Sequence, residues 1–409
     1  MKVLVSAAEA SADLHASKLI EALRRRVPDL QLAGIGGSHL EAQGLLPVAK
    51  ASDLAVMGSV EVLSKLPLIR RAGKALLAQA AQLRPDVAVL VDYPGFHFRI
   101  GPELKALGIP VVYFIPPKVW VWRRSRLISM KRWVSRVLCV LPFEPKIYGE
   151  AGIPAEYIGS PLVEELPVDL SRQEARAKLG LGAEERVLAV MPGSRSSEMQ
   201  RHWSVFLDSA ARFAGDLKQS WTVLIPVAST LDLSFWQLEL ERWLRGRGLG
   251  HLEQSSLRVR LIQEDSGLVL RAADLGLIKS GTSTLEAAVL ECPMVIAYRP
   301  GWVTSFAVKH VLKYRGPVGL VNLFRGIQER SELIAPEILH EDVTSERLAQ
   351  ELVSLYTSPA RLQTMKANLT ALREQMLNGA GSGFTPSDRA AAAILEVVSK
   401  AQLSERGTK

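Results

Sequence analysis

Cysteine is scarce in this sequence. Only two of the 409 residues are cysteines, Cys139 and Cys292. Two cysteines are too few for a disulfide scaffold. Both stand in apolar runs, which is typical of buried free thiols in a reducing compartment. Metal-ligand patterns are missing as well, because the 7 histidines show no ligand spacing and no Asp-x-Asp pair occurs. We therefore expect no resident metal and no other cofactor.

Long apolar runs are also missing. No run reaches the roughly 18 uninterrupted apolar residues that a membrane-spanning helix needs. The chain starts with MKVLVSAAEASAD, in which Glu9 and Asp13 soon follow a short apolar run. This pattern indicates a first strand and its loop rather than a signal peptide.

The sequence has an excess of positive charge. Lys and Arg number 50 against 42 Asp and Glu, which gives a formal net charge of +8 at pH 7. Hydrophobic residues make up 48% and charged residues 22%, which is typical of a folded globular chain. A basic excess predicts an anionic partner: nucleic acid, an acidic membrane surface or a phosphorylated substrate. The net charge leaves these three open.

Short β-branched runs alternate with helix-like stretches, such as 12–26, 69–83 and 345–357. The runs occupy 2–7, 30–37, 86–92, 110–117, 136–144, 186–195, 222–228, 259–264, 275–282 and 293–300. Apolar strands separated by helices indicate parallel sheets covered on both faces. Two groups of five strands predict an α/β fold with two doubly wound, Rossmann-like domains facing a cleft.

A polar segment rich in Pro and Gly, 159–185, separates the two groups of strands. It places an N-terminal domain at 1–160 and a C-terminal domain at 161–375. A Gly/Ser-rich loop and an Ala-rich helix make up 376–409. This last helix could cross back onto the first domain or onto a partner subunit.

Small residues follow two strands of the second domain, where ligands bind in open α/β sheets. The first turn contains Gly193, Ser194 and Arg195, whose guanidinium suits phosphate oxygens. The second turn contains Ser280, Gly281 and Thr282, followed by Glu286, a carboxylate suited to a ribose diol. The pair predicts a nucleotide-diphosphate site. The alternative is two ordinary strand–helix turns with a surface ion pair and a first-turn Glu.

An acid follows a strand of the first domain in the same way. Asp92 ends DVAVLVD and precedes aromatic residues, which is a suitable place for a general base whose pKa is raised by partial desolvation. A helix-capping or loop Asp is about as compatible with the spacing. Glu9, Ser11 and Asp13 follow the first strand and would face the same site.

Two stretches have the composition of membrane-directed surfaces. Residues 118–136 contain seven basic residues, three Trp and no acid, and residues 62–78 interleave apolar and basic residues. Both would suit anionic headgroups, and single-stranded nucleic acid equally. The alternative is a packed helix with a solvated basic face.

Motifs of one enzyme family recur from end to end of the chain. LAVMGSVEVL (54–63) and KVWVWR (118–123) are specific to that family. The others are AEASAD (8–13), DYPGFH (92–97), LPFE (141–144), YIGSP (157–161), PGSR (192–195), SGTSTLE (280–286), CPMVIAYR (292–299) and VNLFRGIQERSEL (321–333). On these motifs the chain resembles the lipid-A-disaccharide synthases, a family of bacterial glycosyltransferases.

The resemblance implies a two-domain glycosyltransferase of the B-type fold. The donor would be UDP-2,3-diacylglucosamine and the acceptor 2,3-diacylglucosamine 1-phosphate (lipid X), giving a β-1,6 disaccharide 1-phosphate and UDP. Because the donor is α-linked, the configuration inverts, which needs one base and no covalent intermediate. The resemblance also implies a cytoplasmic enzyme, peripheral on the inner membrane of a Gram-negative-type bacterium and without a nucleic-acid partner. A homodimer stays open.

The resemblance further assigns roles to single residues. Asp92 matches the family's essential acid and would be the base for the acceptor 6-hydroxyl, and Arg195 would neutralise the departing UDP. Glu286 would hold the ribose, and Asn322 would lie near the nucleotide. The expected acceptor or cleft residues are Glu9, Ser11, Asp13, Met57, Phe96, Trp120, Trp122 and Arg123. The expected membrane or acyl contacts are Leu66, Leu68, Ile69 and Leu76.

Several residues depart from the family pattern, and they bear on the acyl pattern and the acceptor rather than on the reaction class. They are Ala8, Ala12, Gly95, His97, Lys118, Val321, Arg330 and Ser331. One competing interpretation is another UDP-sugar enzyme of the same fold, an epimerase or a peptidoglycan-type transferase. Another is a non-catalytic membrane- or RNA-binding protein. The motifs at 54–63 and 118–123 favour lipid A.

Overall fold

The computed structural model of the chain describes residues 1–50, 59–120, 125–247, 257–263, 265–299, 316–324, 333–378 and 383–406. The chain divides into two compact units. Unit 1 comprises Met1–Pro161 and Leu377–Lys409, and unit 2 comprises Leu162–Met376. Within the described ranges, no helix is both long and apolar enough to span a membrane.

Unit 1 is built on a parallel sheet of seven strands in the order β3-β2-β1-β4-β5-β6-β7. The strands are β1 (Lys2–Ala7), β2 (Gln31–Gly36), β3 (Leu46–Lys50), β4 (Val87–Val91), β5 (Val111–Phe114), β6 (Arg136–Cys139) and β7 (Ala155–Tyr157). Its helices are α1 (Ala10–Arg26), α2 (Ser38–Ala42), α3 (Ser59–Leu83), α4 (Pro94–Ala106), α5 (Ser125–Trp133) and α6 (Glu144–Glu150).

Alternate strand residues of unit 1 feed two core layers, as the pleat of a strand requires. Val3 and Val5 pack on the side of α1, whereas Leu4 packs on the side of α3, α4 and α5. The last helix of the chain, Pro386–Arg406, covers the α1 layer with residues such as Ile394. This helix, α16 in chain order, therefore completes the core of unit 1.

Unit 2 is built on a parallel sheet of six strands in the order β10-β9-β8-β11-β12-β13. The strands are β8 (Val187–Met191), β9 (Trp221–Val227), β10 (Leu257–Gln263), β11 (Leu275–Lys279), β12 (Met294–Tyr298) and β13 (Glu337–Leu339). Its helices are α7 (Leu162–Glu165), α8 (Arg172–Lys178), α9 (Ser196–Leu217), α10 (Leu233–Gly246), α11 (Ser266–Ala272), α12 (Ser283–Val289), α13 (Leu320–Leu323), α14 (Ser345–Tyr356) and α15 (Pro359–Asn378).

The predicted α/β class with two parallel, Rossmann-like sheets is confirmed. All ten predicted strands are present. Most predictions ran into the loop that follows the strand, whereas 2–7 matches β1, and β9 and β10 begin before their predicted first residues. The sequence prediction missed the three short strands β3, β7 and β13. Both cysteines are buried free thiols.

Candidate active site

The order of the strands reverses between β1 and β4 in unit 1. These two strands are neighbours, with Ala7 in register with Val91. The carboxyl ends of two such strands form a crevice, which is the usual ligand position in an open α/β sheet. Asp92 follows β4 directly and Glu9 follows β1 by two residues, so both predicted acids lie at this edge of the sheet.

The backbone at Asp92 is strained. Asp92 and Tyr93 both have left-handed dihedrals, with φ of 50° and 44°. The Asp92 carbonyl oxygen accepts two hydrogen bonds, from His97 Nδ1 at 2.6 Å and from the Tyr113 hydroxyl at 2.8 Å. Its N–H donates to the Phe114 carbonyl at 3.0 Å. Strain of this kind persists only where the surroundings hold it, and it concentrates at functional sites.

His97 holds this turn as a neutral imidazole. Its ring is fully buried, and burial lowers its pKa to about 4. Because a carbonyl only accepts, Nδ1 must carry the proton that bonds Asp92. Nε2 is then an acceptor, and the Ser6 hydroxyl donates to it at 2.9 Å. In the sequence His97 stood out only as a departure from the family pattern.

The three predicted residues after β1 differ in burial and in contacts. Glu9 is half-buried and Ser11 is exposed, and the charge of Glu9 adds to burial in raising the pKa of the Tyr93 hydroxyl. Asp13 is buried, and its carboxylate accepts from the N–H groups of Gly37 at 2.7 Å, His39 at 2.9 Å and Leu40 at 3.3 Å. Asp13 therefore caps α2, and the prediction that it serves the acceptor site is corrected.

The aromatic residues assigned to the acceptor are buried where the structure describes them. Phe96 lies in the core layer beneath α3 and α4, which corrects its predicted role. Trp120 is buried too, and its Nε1 donates to Glu144 Oε1 at 3.2 Å. Burial raises the pKa of Glu144 to about 7. Trp120 thus anchors the loop that follows β5. Met57, Trp122 and Arg123 lie outside the described residues, as do Arg330 and Ser331.

The strand order of unit 2 also reverses, between β8 and β11. Met191 is in register with Ile278, so the turns that follow these strands are neighbours. Gly193 has φ 144°, and a Cβ at this position would lie 2.5 Å from Glu198 Cβ. Ser194 and Arg195 are exposed, and α9 begins directly after them. Unpaired N–H groups of a helix start attract anions.

The second turn offers fewer phosphate contacts than predicted. The Ser280 hydroxyl is buried and donates to the Val318 carbonyl at 2.9 Å, so its predicted role in phosphate binding is corrected. Gly281 and Thr282 remain accessible. Glu286 is half-buried, and Ser266 Oγ donates to its carboxylate at 3.2 Å. Glu286 therefore has the hydroxyl of Ser266 beside its carboxylate, at the end of the sheet where Thr282 also lies.

The Asn322 side chain has a structural role in unit 2. Its Nδ2 donates to the Ala335 carbonyl and to Glu337 Oε1, both at 2.8 Å, and its Oδ1 accepts from the Ala335 N–H at 3.0 Å. Glu337 also accepts from the N–H groups of Val318 and Gly319. These bonds occupy both N–H groups of the Asn322 amide, and its predicted place near the nucleotide stays a prediction.

One cation of this site was missed in the sequence. Lys279 ends β11, and its Nζ lies 2.8 Å from Glu198 Oε1. Arg195 Nη1 lies 3.7 Å from the same oxygen. The sequence signal was present, because Lys279 immediately precedes the small-residue turn.

The four residues of α3 that were predicted to contact the membrane or acyl chains differ in burial. Ile69 and Leu76 of α3 are buried in the core of unit 1, which corrects their predicted role. Leu66 is half-buried, whereas Leu68 is 40% exposed. From Leu66 onward, where burial is described, α3 therefore has an exposed outer face and a buried inner face.

Comparisons of the sequence point to one family. The family model described as lipid-A-disaccharide synthetase matches residues 3–382. A lipid-A-disaccharide synthase of Myxococcus xanthus (strain DK1622) is 37% identical over 397 residues, which is 97% of each chain. That of Anaeromyxobacter dehalogenans (strain 2CP-C) is 39% identical over 373 residues, covering 91% of this chain and 92% of its own.

Solved structures share the fold at low identity. MurG of Acinetobacter baumannii has a TM-score of 0.57 and 13% identity, covering 97% of this chain and 99% of its own. A UDP-GlcNAc 2-epimerase of Neisseria meningitidis, bound to UDP-GlcNAc, has a TM-score of 0.57 and 12% identity, covering 97% and 100%. Anabaena HepE in complex with UDP has a TM-score of 0.56 and 15% identity, with the same two coverages.

Proposed function

This chain belongs to the lipid-A-disaccharide synthetase family, and we propose that it joins UDP-2,3-diacylglucosamine to 2,3-diacylglucosamine 1-phosphate. It is a glycosyltransferase of lipid A disaccharide synthesis. The new bond is β-1,6, and UDP leaves. The competing assignments, an epimerase or a peptidoglycan-type transferase, agree with the shared fold but not with the family match over residues 3–382.

We assign the base to Asp92. Transfer requires that the acceptor 6-hydroxyl lose its proton as its oxygen attacks the anomeric carbon of the donor. The observation that carries this assignment is the strained turn at Asp92, which is held by His97 and Tyr113 at the reversal point of the sheet. Such bonds fix the backbone from which the carboxylate projects. One base and a single displacement give inversion at the anomeric carbon, without a covalent enzyme intermediate.

We assign the donor diphosphate to the turn after β8. Gly193 lets the backbone approach an anion closely, and the start of α9 supplies N–H groups. Arg195 adds a charge that neutralises the phosphate oxygens as the bond to the sugar breaks. Gly281 and Thr282 border the same edge, and Glu286 would accept hydrogen bonds from the ribose hydroxyls.

We further propose that unit 1 rests on an anionic membrane surface. Its acylated substrates partition into membranes, so the enzyme must collect them there. Helices α3, α4 and α5 cover one side of the unit 1 sheet, and α4 packs against both others. Exposed apolar residues on this layer are Leu68 and Ile128. Exposed basic residues are Arg70, Arg71, Lys74, Lys131 and Arg132. Each basic residue near an anionic leaflet contributes about 1 kcal/mol.

A transfer assay tests the substrates directly. Purified protein would be incubated in detergent with the radiolabelled donor and 2,3-diacylglucosamine 1-phosphate, without added metal. We expect a disaccharide 1-phosphate and UDP in a one-to-one ratio, and an anomeric proton coupling that shows a β linkage. If no disaccharide forms although UDP binds, the proposed substrates are wrong. An α linkage would overturn the single displacement.

A further inference from the structure

We propose that Lys279 is a second cation that binds the donor diphosphate. While the site is free of nucleotide, the carboxylate of Glu198 occupies the position of the diphosphate. This inference rests on the proposed diphosphate site after β8. It adds a binding residue that the sequence motifs did not assign. It also gives Glu198 a defined role as an internal stand-in for a phosphate.

The Glu198 carboxylate lies where an anionic ligand would lie. Its Oε1 is 2.8 Å from Lys279 Nζ and 3.7 Å from Arg195 Nη1. Its Oε2 accepts from the N–H of Ser194 at 3.3 Å. An ammonium, a guanidinium and a backbone N–H are all donors that commonly bind phosphate in proteins. The Glu198 carboxylate therefore lies among three donors that suit a phosphate group.

Lys279 is built into the site rather than onto the surface. Its side chain is 15% exposed, as is that of Glu198. It ends β11, whose neighbour β8 leads into the Gly193 turn, and its Nζ lies 5.9 Å from the centre of the Tyr298 ring. An aromatic face favours a nearby cation and limits its positions. The ammonium is thus held at the edge of the sheet where the diphosphate is expected.

The surrounding charge favours an anion of higher charge than one carboxylate. Besides Arg195 and Lys279, Arg201 follows Glu198 by three residues on α9, and the charges of both residues act on His202 and Tyr298. His202, which packs beneath this group, is neutral because burial lowers its pKa to about 4. A diphosphate, which carries more negative charge than Glu198, would pair with these cations more completely.

Binding would then be an exchange of partners. A phosphate oxygen takes the place of Glu198 Oε1 against Lys279, and the carboxylate turns away into solvent. The exchange keeps Lys279 paired in both states, so its ammonium is never buried without a counter-ion. No covalent bond changes.

Isothermal titration with UDP and with uridine tests the role of Lys279. Lys279→Met should weaken UDP binding by about 10- to 100-fold, because a charge-assisted hydrogen bond is lost. Uridine lacks phosphate, and its affinity should stay within twofold. Lys178→Met is the matched control, because Lys178 is an exposed lysine elsewhere in unit 2, and it should leave both affinities unchanged.

Glu198→Gln tests whether the Glu198 carboxylate occupies the phosphate position in the nucleotide-free site. Removing the competing charge should tighten UDP binding severalfold without changing uridine binding. If Lys279→Met leaves UDP affinity unchanged, or Glu198→Gln leaves it unchanged or weakens it, the inference is overturned and the pair is structural. If the wild-type protein fails to bind UDP at all, the proposed donor site fails instead.

Discussion

At the scale of single residues, Asp92 depends on neighbours that contact no substrate. A non-glycine residue in a left-handed conformation costs roughly 1–3 kcal/mol, and Asp92 and Tyr93 form two in succession. Each hydrogen bond to the Asp92 carbonyl contributes about 1 kcal/mol. His97 and Tyr113 together therefore offset a cost of the same order, and both positions bear on the geometry of the base.

His97→Ala should lower kcat more than it changes KM. Without the imidazole the Asp92 turn relaxes, and a shift of about 1 Å at a reacting group costs roughly 100-fold in rate. We expect a loss of 10- to 100-fold in kcat, with the donor KM within about twofold. Steady-state kinetics would check this. Tyr113→Phe removes the other donor to the Asp92 carbonyl and should also lower kcat. In the double variant the loss of kcat should be smaller than the two single losses combined. A change in KM alone would contradict the positioning role.

The same residue predicts a pH dependence of stability. His97 is neutral in the folded chain down to about pH 4, whereas in the unfolded chain it is protonated below about pH 6.5. Between these values the unfolded state binds the extra proton, so acidification destabilises the wild-type fold. Urea unfolding should show the stability gap between wild type and His97→Asn narrowing from pH 7 to pH 4. A gap independent of pH would contradict a buried neutral imidazole.

The sequence could single out Asp92 and Arg195 as candidates because Asp92 stands directly after one continuous apolar strand and Arg195 four residues after another. It could not identify the partners of Asp13, which are N–H groups more than 20 residues away. The same limit applied to Asn322, whose partners lie on the loop around Ala335. A polar side chain near a motif looks the same whether it binds a ligand or the backbone. Only the folded contacts separate the two.

At the scale of elements, α3 has one face in the core and one face outward. Leu68→Ser should weaken binding to vesicles that contain anionic lipid, since its side chain is 40% exposed on the basic face. Leu76→Ser should instead destabilise the fold by about 2–5 kcal/mol, because it opens a cavity and buries a hydroxyl. Vesicle sedimentation and thermal unfolding would separate the two. If Leu68→Ser leaves sedimentation unchanged, α3 does not contact the membrane.

The last helix is a structural part of unit 1. Ile394 of α16 is buried against the α1 layer, whereas Leu403 of the same helix is 68% exposed. Ile394→Ala should cost about 2–5 kcal/mol of unfolding free energy. Leu403→Ala, the matched control, should change it by at most about 0.5 kcal/mol. Equal effects in denaturant unfolding would contradict the docking of α16 on α1.

The strands that sequence reasoning missed have a common position. β3, β7 and β13 each lie at the edge of a sheet, and β7 and β13 have three residues each. Edge strands need no continuous apolar run, because one side meets solvent. β3 even contains a proline, and its Leu46 is 79% exposed. The central strands were readable because both of their faces are covered.

At the scale of the whole molecule, each of the two units carries one part of the proposed chemistry. The first sheet reverses its strand order at Asp92, and the second reverses it beside Arg195 and Lys279. The proposed base and the proposed diphosphate site therefore belong to different compact units. A substitution at one should leave the binding function of the other intact.

The most direct test of this account compares Asp92→Asn with wild type in two assays, disaccharide formation and UDP binding. Asp29→Asn, at an exposed turn of the same unit, is the matched control. The account predicts that Asp92→Asn lowers the transfer rate by about 10²- to 10⁴-fold, the usual contribution of a general base, with UDP affinity within twofold. Transfer near the wild-type rate, or a loss of UDP binding, would contradict it.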